Sequence, residues 1–520
     1  MSAPIGAGTI ARENPARTTE IVGVVAETAP EAVDTIVREA DADRRRWAAR
    51  ELPDRLAALA RAATAIEEAM PELAVLLARE SGKVAGDCRG ELGFAVRYLR
   101  WVVEQAPSAY ADRTVDDDLG RIVEQRKPYG VVAAVTPWNA PIILAMLKIA
   151  PALAAGNAVV VKPSPLAPLT ISRVVALFDA PVRVVHGGSA TGAALVGHEL
   201  VRKVAFTGGA AGGRAVAALA GDRLTPSVLE LGGNDPAVFL DDAPFTGDAM
   251  DRLVMASFAT SGQVCMAAKR LYVPSARLDE FVEAYLAAAD RVLVTGDPLA
   301  DGVTMGPLIS ASAQRAALAL RGEGAARRAG SAPRSGSAPS PETSSVSGSG
   351  RPAEPGTGFV SGKAAGGVVH DLGRFEADPD IGYFVRPALV VDPDPASPLV
   401  VTEQFAPVVP VLGYCDEESV LAAANAGELG LGASVWSADE ERAFAFARRF
   451  EAGFTFVNTH NRTGMSLRAP FGGVKRSGWG REYAHEGLAE YVQTCVIHAP
   501  AAFRPGAVAT TAGPSAYPAG

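Results

Sequence analysis

Three residues of this chain are of types that could act together on a carbonyl group. Cys265 follows the small run 259–262, so we expect its thiol and backbone N–H at a turn or helix start, which favours a thiolate and an oxyanion. Glu230 lies between two leucines, and apolar surroundings raise a carboxyl pKa towards that of a general base. Asn139 stands between two prolines and could donate to an oxyanion. Each also fits a structural role, as a buried cysteine, a strand end or a turn.

Short β-rich runs that alternate with Ala/Leu-rich helical segments must position these residues. Such alternation is typical of a parallel, doubly wound sheet, which binds ligands at the carboxyl ends of its strands. The predicted strands are 131–136, 158–162, 182–186, 201–206 and 228–231. The pattern predicts helices over 29–105 and a second α/β unit over 234–475, which includes 258–272, 278–292, 388–391 and 434–436.

Composition indicates an ordinary globular protein. A chain of 520 residues with 48% hydrophobic residues is long enough for two or three domains. Its formal net charge of −9 argues against a nucleic-acid partner. Four scattered cysteines without metal-ligand spacing predict no metal site and favour a reducing, cytoplasmic setting. We expect no signal peptide and no membrane partner, because the uncharged stretch 128–147 contains prolines at its centre.

Two kinds of low-complexity segment interrupt this pattern. The segment 324–358 is rich in Gly, Ala, Ser and Pro and lacks aromatic residues. Such a segment can bury too little apolar surface to offset the entropy lost on ordering. We therefore predict a disordered insertion here. Residues 1–13 and 500–520, at the two ends of the chain, are mostly small or polar. This composition predicts two flexible tails.

Seven motifs stand in one order along the chain: Pro137-Trp138-Asn139, Lys162-Pro163-Ser164, Phe206-Thr207-Gly208, Glu230-Leu231-Gly232-Gly233, Gly262-Gln263-Val264-Cys265, Glu403-Gln404-Phe405 and Pro470-Phe471-Gly472-Gly473-Val474-Lys475. This order resembles the aldehyde dehydrogenase superfamily, from about Asn14 to about Val496.

The resemblance implies an α/β architecture of three parts. A dinucleotide-binding domain would comprise 14–112 and 129–233, and a catalytic domain would comprise 234–475. A small β oligomerisation arm would comprise 113–128 and 485–498. Residues 121–126 alternate like an exposed strand, and an edge strand offers a dimerisation surface. We therefore expect a homodimer or a homotetramer.

A glycine-rich turn between a strand and a helix start, at 204–214, could hold a pyrophosphate. The resemblance implies that Lys162 contacts the adenosine ribose, that Glu403 contacts the nicotinamide ribose and that Phe405 packs beside the ring. The other expected cofactor residues are Trp138, Ser164, Gly208, Gly209, Gly213 and Leu231. Pro165 stands where NAD-preferring members often hold a glutamate, so NAD and NADP both stay open, with NAD favoured as the commoner cofactor.

The chemistry implied by the resemblance is oxidation of an aldehyde to a carboxylic acid. Cys265 would attack the carbonyl, Asn139 would hold the oxyanion, and Glu230 would activate the water that hydrolyses the thioester. Thr260 and Ala406 depart from the asparagine and glycine usual in the family, and Gly209 replaces a usual serine. Alternatives are a CoA-acylating relative, a semialdehyde-specific relative, or a catalytically impaired binding or scaffold protein.

The expected substrate pocket is lined by small aliphatic side chains, which would make it roomier and less aromatic. At the matching positions this chain carries Ala140, Leu144, Leu147 and Ala259, with Phe471 as the remaining ring. Such a pocket could admit a bulky or branched aldehyde. Two arginines in the loop 458–468, Arg462 and Arg468, would instead attract an acidic aldehyde if either faces the pocket.

Overall fold

The computed structural model describes residues 8–322 and 366–504. The expected insertion 324–358 lies outside this part of the chain, as do residues 1–7 and 505–520 of the two expected tails. The described helices are Ala32–Ala48, Leu52–Glu68, Met70–Ser81, Ala85–Ala109, Pro141–Ala155, Leu169–Val175, Ser189–Val196, Ala210–Asp222, Gly247–Phe258, Leu278–Val292, Ala311–Leu320, Pro398–Val401, Glu417–Asn425, Glu440–Ala447 and Ala484–Ala489.

Strands are numbered in chain order. They are β1 (Thr9–Asn14), β2 (Arg17–Ala26), β3 (Arg113–Asp117), β4 (Gly120–Pro128), β5 (Val131–Thr136), β6 (Ala158–Pro163), β7 (Val182–Val184), β8 (Val201–Thr207), β9 (Ser227–Glu230), β10 (Pro236–Phe239), β11 (Arg270–Pro274), β12 (Val294–Thr295), β13 (Val368–Asp371), β14 (Arg374–Phe375), β15 (Ala388–Val391), β16 (Val408–Tyr414), β17 (Leu429–Gly430), β18 (Gly432–Trp436), β19 (Phe454–Val457), β20 (Val474–Lys475), β21 (Gly478–Trp479) and β22 (Val492–Pro500).

The first large sheet carries most of the expected ligand residues. Its order is β21-β9-β8-β5-β6-β7, and all neighbours are parallel except β21. β5 and β6 are buried along nearly their whole length, as expected for Val/Ala runs covered by helices on both faces. The five predicted strands of this sheet are confirmed within two residues at each end, and so is the α/β fold class.

The second large sheet forms the core of the other α/β unit. Its order is β13-β15-β16-β11-β10-β18-β19, and only β13 is antiparallel to its neighbour. Helix Leu278–Val292 packs on it through Phe281, whose ring lies 5.0 Å from that of Phe239. Stacking of Phe239 on Trp436 continues this aromatic layer, which fixes the sheet under the helices.

A third, three-stranded sheet has the order β22-β4-β3. β4 pairs antiparallel with β22 from Gly120↔Pro500 to Pro128↔Val492. The C-terminal arm segment expected at 485–498 therefore needs correction. Its first part lies in helix Ala484–Ala489, and the strand extends to Pro500.

The expectation of a flexible tail over 1–13 is wrong for residues Thr9–Glu13, which belong to β1. Composition missed this strand because its hydrogen bonds come from distant residues. The buried Arg12 guanidinium donates to the carbonyl oxygens of Glu80, at 2.7 Å, and Ile309, at 3.0 Å. Likewise the expected tail over 500–520 begins too early, because Pro500 ends β22 and Ala501–Phe503 form a 3-10 turn.

Within the described ranges, none of the helices combines the length and apolar character needed to cross a bilayer.

Candidate active site

The predicted ligand residues gather at the carboxyl edge of the first sheet. Asn139 follows β5, Lys162 lies near the end of β6, and Glu230 ends β9. The strand register keeps these residues at the same edge of the sheet, because Lys162 pairs with Val135 near the end of β5 and Glu230 pairs with Thr207 at the end of β8. Parallel strands bring their carboxyl ends to one edge, and this edge is where such sheets bind ligands.

Cys265 lies in a turn between the 3-10 turn Ala259–Gly262 and β11. The alternative expectation of a helix start is wrong, because the residues after Cys265 lead into a strand. Thr260 and Ser261 adopt left-handed conformations, with φ of +56° and +59°, which non-glycine residues rarely adopt. The Ser261 hydroxyl donates to the Gly306 carbonyl at 2.8 Å and holds this strained loop in place.

Asn139 reaches the loop that carries Cys265. Its Nδ2 donates to the carbonyl oxygen of Gln263 at 3.0 Å. The Gln263 side chain is held in turn, because its Oε1 accepts from the backbone N–H of Ile309 at 3.1 Å. An amide Nδ2 carries two hydrogens, so Asn139 can donate a second hydrogen bond while it is held by the first.

The surroundings of Cys265 favour the protonated thiol over the thiolate. Burial raises the pKa of Cys265 to about 12, whereas the Lys269 ammonium opposes this shift. The expectation that this position favours a thiolate in the resting protein is therefore wrong, because desolvation outweighs the nearby positive charge. Lys269 Nζ donates to the carbonyl oxygens of Cys265 and Gly233, each at 2.6 Å, and forms an ion pair with Glu403 at 2.9 Å.

Glu230 is buried, and neither of its carboxylate oxygens has a hydrogen-bond partner among the described residues. Burial raises the pKa of Glu230 well above its usual value, and the Glu482 carboxylate adds to this shift. Lys148 opposes it from a buried network, in which its Nζ donates to Thr207 Oγ1 and to Glu482 Oε1, each at 2.7 Å. The raised pKa agrees with the sequence prediction.

A cavity of about 430 Å³ opens beside Cys265 and Asn139. Three of the predicted pocket residues, Ala140, Leu144 and Ala259, line it. The other two, Leu147 and Phe471, lie outside the lining. They pack in the adjacent core instead, where Leu147 is 2% exposed and the Phe471 ring lies 5.7 Å from that of Phe454.

Sequence reasoning missed the wall opposite these residues. Helix Ala85–Ala109 presents one face to the cavity, at the three- and four-residue spacing of a helix: Asp87, Gly90, Glu91, Phe94 and Arg97. That spacing was the signal that could have identified the face. Glu91 Oε1 accepts from the backbone N–H of Ile142 at 2.8 Å, which joins this helix to the one after Asn139.

The loop arginines occupy other surroundings. Arg468 is exposed and does not line the cavity, and the side chain of Arg462 lies outside the described part of the structure. An arginine of another element, Arg97 of helix Ala85–Ala109, does line the cavity.

The adenosine end of the expected cofactor site has suitable donors and space. Lys162 is buried, its pKa is lowered to about 8 by burial, and its Nζ donates to the Pro163 carbonyl at 3.2 Å. A side chain at Gly209, which precedes helix Ala210–Asp222, would meet no atom within 4 Å. An ammonium and an open turn at a helix N-terminus, both at the carboxyl edge of the same sheet, fit a dinucleotide. Ser164 follows on the same edge, and its Oγ accepts from the Leu166 N–H at 3.2 Å.

The expected nicotinamide end, unlike the adenosine end, is closely packed around glycines. A Cβ on Gly232 would overlap the Glu403 carboxylate, and the backbone N–H of Gly233 donates to Glu403 Oε1 at 3.3 Å. Phe405, with a φ of +45°, meets the Trp138 ring edge-on at 5.6 Å.

Helix Ala210–Asp222 packs closely on the strand end beside this site. A Cβ on Gly213 would lie 2.5 Å from Leu231 Cδ2, so the close approach requires glycine. Gly208, the first glycine of the turn, packs against the Phe206 ring in the same way. Most of the predicted cofactor residues thus lie along one edge of the first sheet, and Glu403 and Phe405 reach that edge from the second unit.

Comparison with known proteins shows which family has a similar sequence and structure. The model of the aldehyde dehydrogenase family matches residues 4–341 and 358–497. A geranial dehydrogenase from Castellaniella defragrans is 34% identical over 489 residues, with 92% of each chain covered. An NADP⁺ succinate-semialdehyde dehydrogenase from Deinococcus radiodurans is 32% identical, with 90% of each chain covered. A mutant of aldehyde dehydrogenase C from Pseudomonas syringae, in complex with NAD⁺ and octanal, has a similar structure. Its TM-score is 0.81 at 29% identity, and 95% of this chain and 94% of that chain are covered.

The family match spans nearly the whole chain, and these relatives are dehydrogenases of aldehydes and semialdehydes. The chain belongs to the aldehyde dehydrogenase family and is an NAD(P)-dependent aldehyde dehydrogenase.

Proposed function

We propose that this enzyme oxidises its aldehyde to a carboxylic acid through a covalent adduct on Cys265, and that Glu230 supplies the base. One observation carries the proposal: Cys265 and Asn139 line one cavity, while the unpartnered carboxylate of Glu230 is near enough to act on the pKa of Cys265. A nucleophile and an oxyanion donor at one cavity, with a buried carboxylate close to the nucleophile, are the groups that acyl chemistry requires.

In the first step the Cys265 sulfur forms a bond to the carbonyl carbon. Because the resting cysteine is a thiol, its proton must leave as this bond forms, and Glu230 accepts it. Burial raises the pKa of Glu230, which makes its carboxylate form a stronger base than an exposed glutamate. The negative charge on the former carbonyl oxygen is held by Asn139 Nδ2 and the backbone N–H of Cys265.

When bound, the nicotinamide of NAD or NADP supplies the acceptor for the hydride. The site's own residues then hold the thioester on Cys265 and exclude bulk water. Glu230 first releases to solvent the proton that it took from Cys265, and it then removes a proton from the water that attacks the thioester carbon. The C–S bond breaks, the acid leaves, and the sulfur takes up a proton to restore the thiol. The presence of this base favours hydrolysis over transfer to coenzyme A.

Lys162, Ser164 and the Gly208–Gly209 turn would hold the adenosine and pyrophosphate, and Glu403 and Phe405 would hold the nicotinamide half. Trp138, Leu231 and Gly213 would shape the space between them. Pro165 carries no charge, so the chain has no acidic residue there to repel a 2′-phosphate. We therefore include both NAD and NADP, with NAD favoured.

The cavity walls are mainly apolar, with Phe94, Ile143, Leu144, Met255 and Met465 among them. This lining supports an aldehyde with a hydrocarbon body, in line with the geranial specificity in the name of one relative. The semialdehyde specificity in the name of another relative supports the second candidate, an aldehyde with an acidic end.

We further propose a homodimer or a homotetramer that assembles through the β22-β4-β3 sheet and works in the cytoplasm. Support comes from Val496 and Ile497 on the edge strand β22, which are 60% and 56% exposed. Scattered free cysteines, without a disulfide among the described residues, are compatible with a reducing compartment.

The direct test is reduced-nicotinamide formation by the purified protein with NAD and NADP, across short, long, branched and carboxylated aldehydes. Cys265→Ser should abolish oxidation while cofactor binding persists. Glu230→Gln should slow hydrolysis so that an acyl-enzyme accumulates, visible as a mass increase.

Cys415→Ser is the matched control, because Cys415 is exposed and does not line the cavity. Unchanged turnover in Cys265→Ser would disprove the covalent mechanism. A Glu230→Gln protein without accumulated acyl-enzyme would remove Glu230 from the hydrolytic step.

A further inference from the structure

Four carboxylate or cationic side chains besides histidine line the cavity: Lys83, Asp87, Glu91 and Arg97. Lys83 and Glu91 are both buried and form an ion pair, so their charges largely cancel. Arg97 differs because it is exposed, and no carboxylate lies within ion-pair distance of it in the described ranges 8–322 and 366–504. Among the described residues that line the cavity, Arg97 is therefore the cation whose charge is not neutralised by a neighbouring carboxylate.

The position of Arg97 within the cavity follows from its helix. Glu91 lies at the inner end of the cavity, because its carboxylate accepts a hydrogen bond from the backbone N–H of Ile142, three residues after Asn139. Arg97 lies six residues further along helix Ala85–Ala109, which is about 9 Å at the rise of an α-helix. Because Arg97 is exposed and Glu91 is buried, Arg97 lies at the outer end of the cavity.

The guanidinium is also held over the cavity wall. Its central carbon lies 5.3 Å from the centre of the Phe94 ring. Its Nη1 lies 3.6 Å from the point that a side chain on Gly93 would occupy, so it folds back along the helix over the glycine. A cation stacked on an aromatic ring keeps its edge donors available for an anion.

We propose that Arg97 is a specificity-determining residue that binds an anionic group at the end of the substrate opposite the aldehyde. The substrate class is then an aldehyde with a carboxylate, or an oxyanion of similar shape, at the far end of an apolar chain. This inference rests on the proposed function, because it takes Cys265 as the site of attack.

The same helix face reaches the reactive loop at its other end. Thr260, five residues before Cys265, donates to the Asp87 carboxylate at 3.4 Å. Asp87 and Arg97 both belong to helix Ala85–Ala109 and both line the cavity, so this face runs from the loop of Cys265 to the position of Arg97.

The test compares two matched substrate series in the full-length enzyme: unbranched aldehydes ending in carboxylate and alkanals of the same chain length. With Arg97→Met, KM for the carboxylated aldehydes should rise about tenfold or more, while kcat and all constants for the alkanals change less than about twofold. Arg97→Lys should restore part of the loss, because it keeps the charge without the bidentate fork.

Arg100→Met is the matched control, since Arg100 lies on the same helix but forms an ion pair with Glu67 and does not line the cavity. Equal KM values for carboxylated aldehydes in native and Arg97→Met enzymes would overturn the proposal, as would a native enzyme that prefers the alkanals. Absence of oxidation of both series by the native enzyme would instead count against the proposed function.

Discussion

The resting state of Cys265 decides how its chemistry must begin. Its neighbours are a positive Lys269 and several carboxylates, yet burial dominates and raises its pKa to about 12. The residue is therefore a thiol at neutral pH. In the mechanism that we propose, its proton passes to the carboxylate form of Glu230, whose basicity is increased by the raised pKa.

This state predicts the pH dependence of alkylation by iodoacetamide. Only the thiolate reacts, and below its pKa the thiolate fraction increases tenfold for each pH unit. The rate of labelling of Cys265 in the free enzyme should therefore rise without a plateau from about pH 7 to about pH 10, as followed by peptide mass. A Cys265→Ala protein reports labelling of the other cysteines. A plateau near neutral pH would mean that the resting residue is a thiolate.

At the scale of elements, the site depends on buried contacts that cross from one element to another. Helix Pro141–Ala155 supplies Lys148, and Glu482 comes from the segment between β21 and helix Ala484–Ala489. The side chains of this ion pair are 0% and 4% exposed. A buried charge that loses its partner is strongly destabilising, so this pair links the helix after Asn139 to the C-terminal segment.

Lys148→Met should lower the free energy of unfolding by about 3–5 kcal/mol, because it leaves Glu482 buried without its partner. Lys148→Met with Glu482→Leu should recover much of that loss, as measured by urea denaturation. Lys148 also lowers the pKa of Glu230, so its removal should move the Glu230-dependent limb of the pH–rate profile to higher pH. Purely additive single substitutions would contradict the coupling.

The elements most accessible to prediction were those whose pattern is local. The uniform Val/Ala run of β5, the amphipathic helix Leu278–Val292 and the short strand β15 match their predicted bounds to the residue. β1 was missed because its partners are supplied by β2, Glu80 and Ile309, none of which a local pattern reveals.

The candidate site divides in the same way. Cys265, Glu230 and Asn139 lie in motifs that can be read in the sequence, and the structure brings them to one region. Which helix faces the cavity is decided by packing between distant elements, so Leu147 was expected in the lining and Arg97 was not. The protonation state of Cys265 was also unpredictable, because it depends on the burial of the folded loop.

For the molecule as a whole, the two α/β units meet at the proposed cofactor site, and the third sheet is separate from the sheets of both units. Its edge strand β22 leaves Val496 and Ile497 exposed, next to backbone groups that β4 does not pair. Exposed apolar strand edges of this kind associate readily.

We expect the native protein to run as a dimer or tetramer in size-exclusion chromatography with light scattering, and Val496→Asp with Ile497→Asp to shift it to a smaller species. The charges would have to be buried without partners in the assembly. Val75→Asp is the control, because Val75 is 44% exposed on helix Met70–Ser81, away from this sheet. A native monomer, or a double variant of unchanged size, would exclude this assembly surface.

The protonated thiol of Cys265 also bears on how long the enzyme survives in use. Peroxide oxidises cysteine through the thiolate, and sulfenic acid is the first product. A thiol whose pKa is about 12 presents almost no thiolate near neutrality. We therefore expect the idle enzyme to withstand oxidative damage that would inactivate an enzyme with a permanently ionised cysteine, and to become vulnerable mainly while it is turning over.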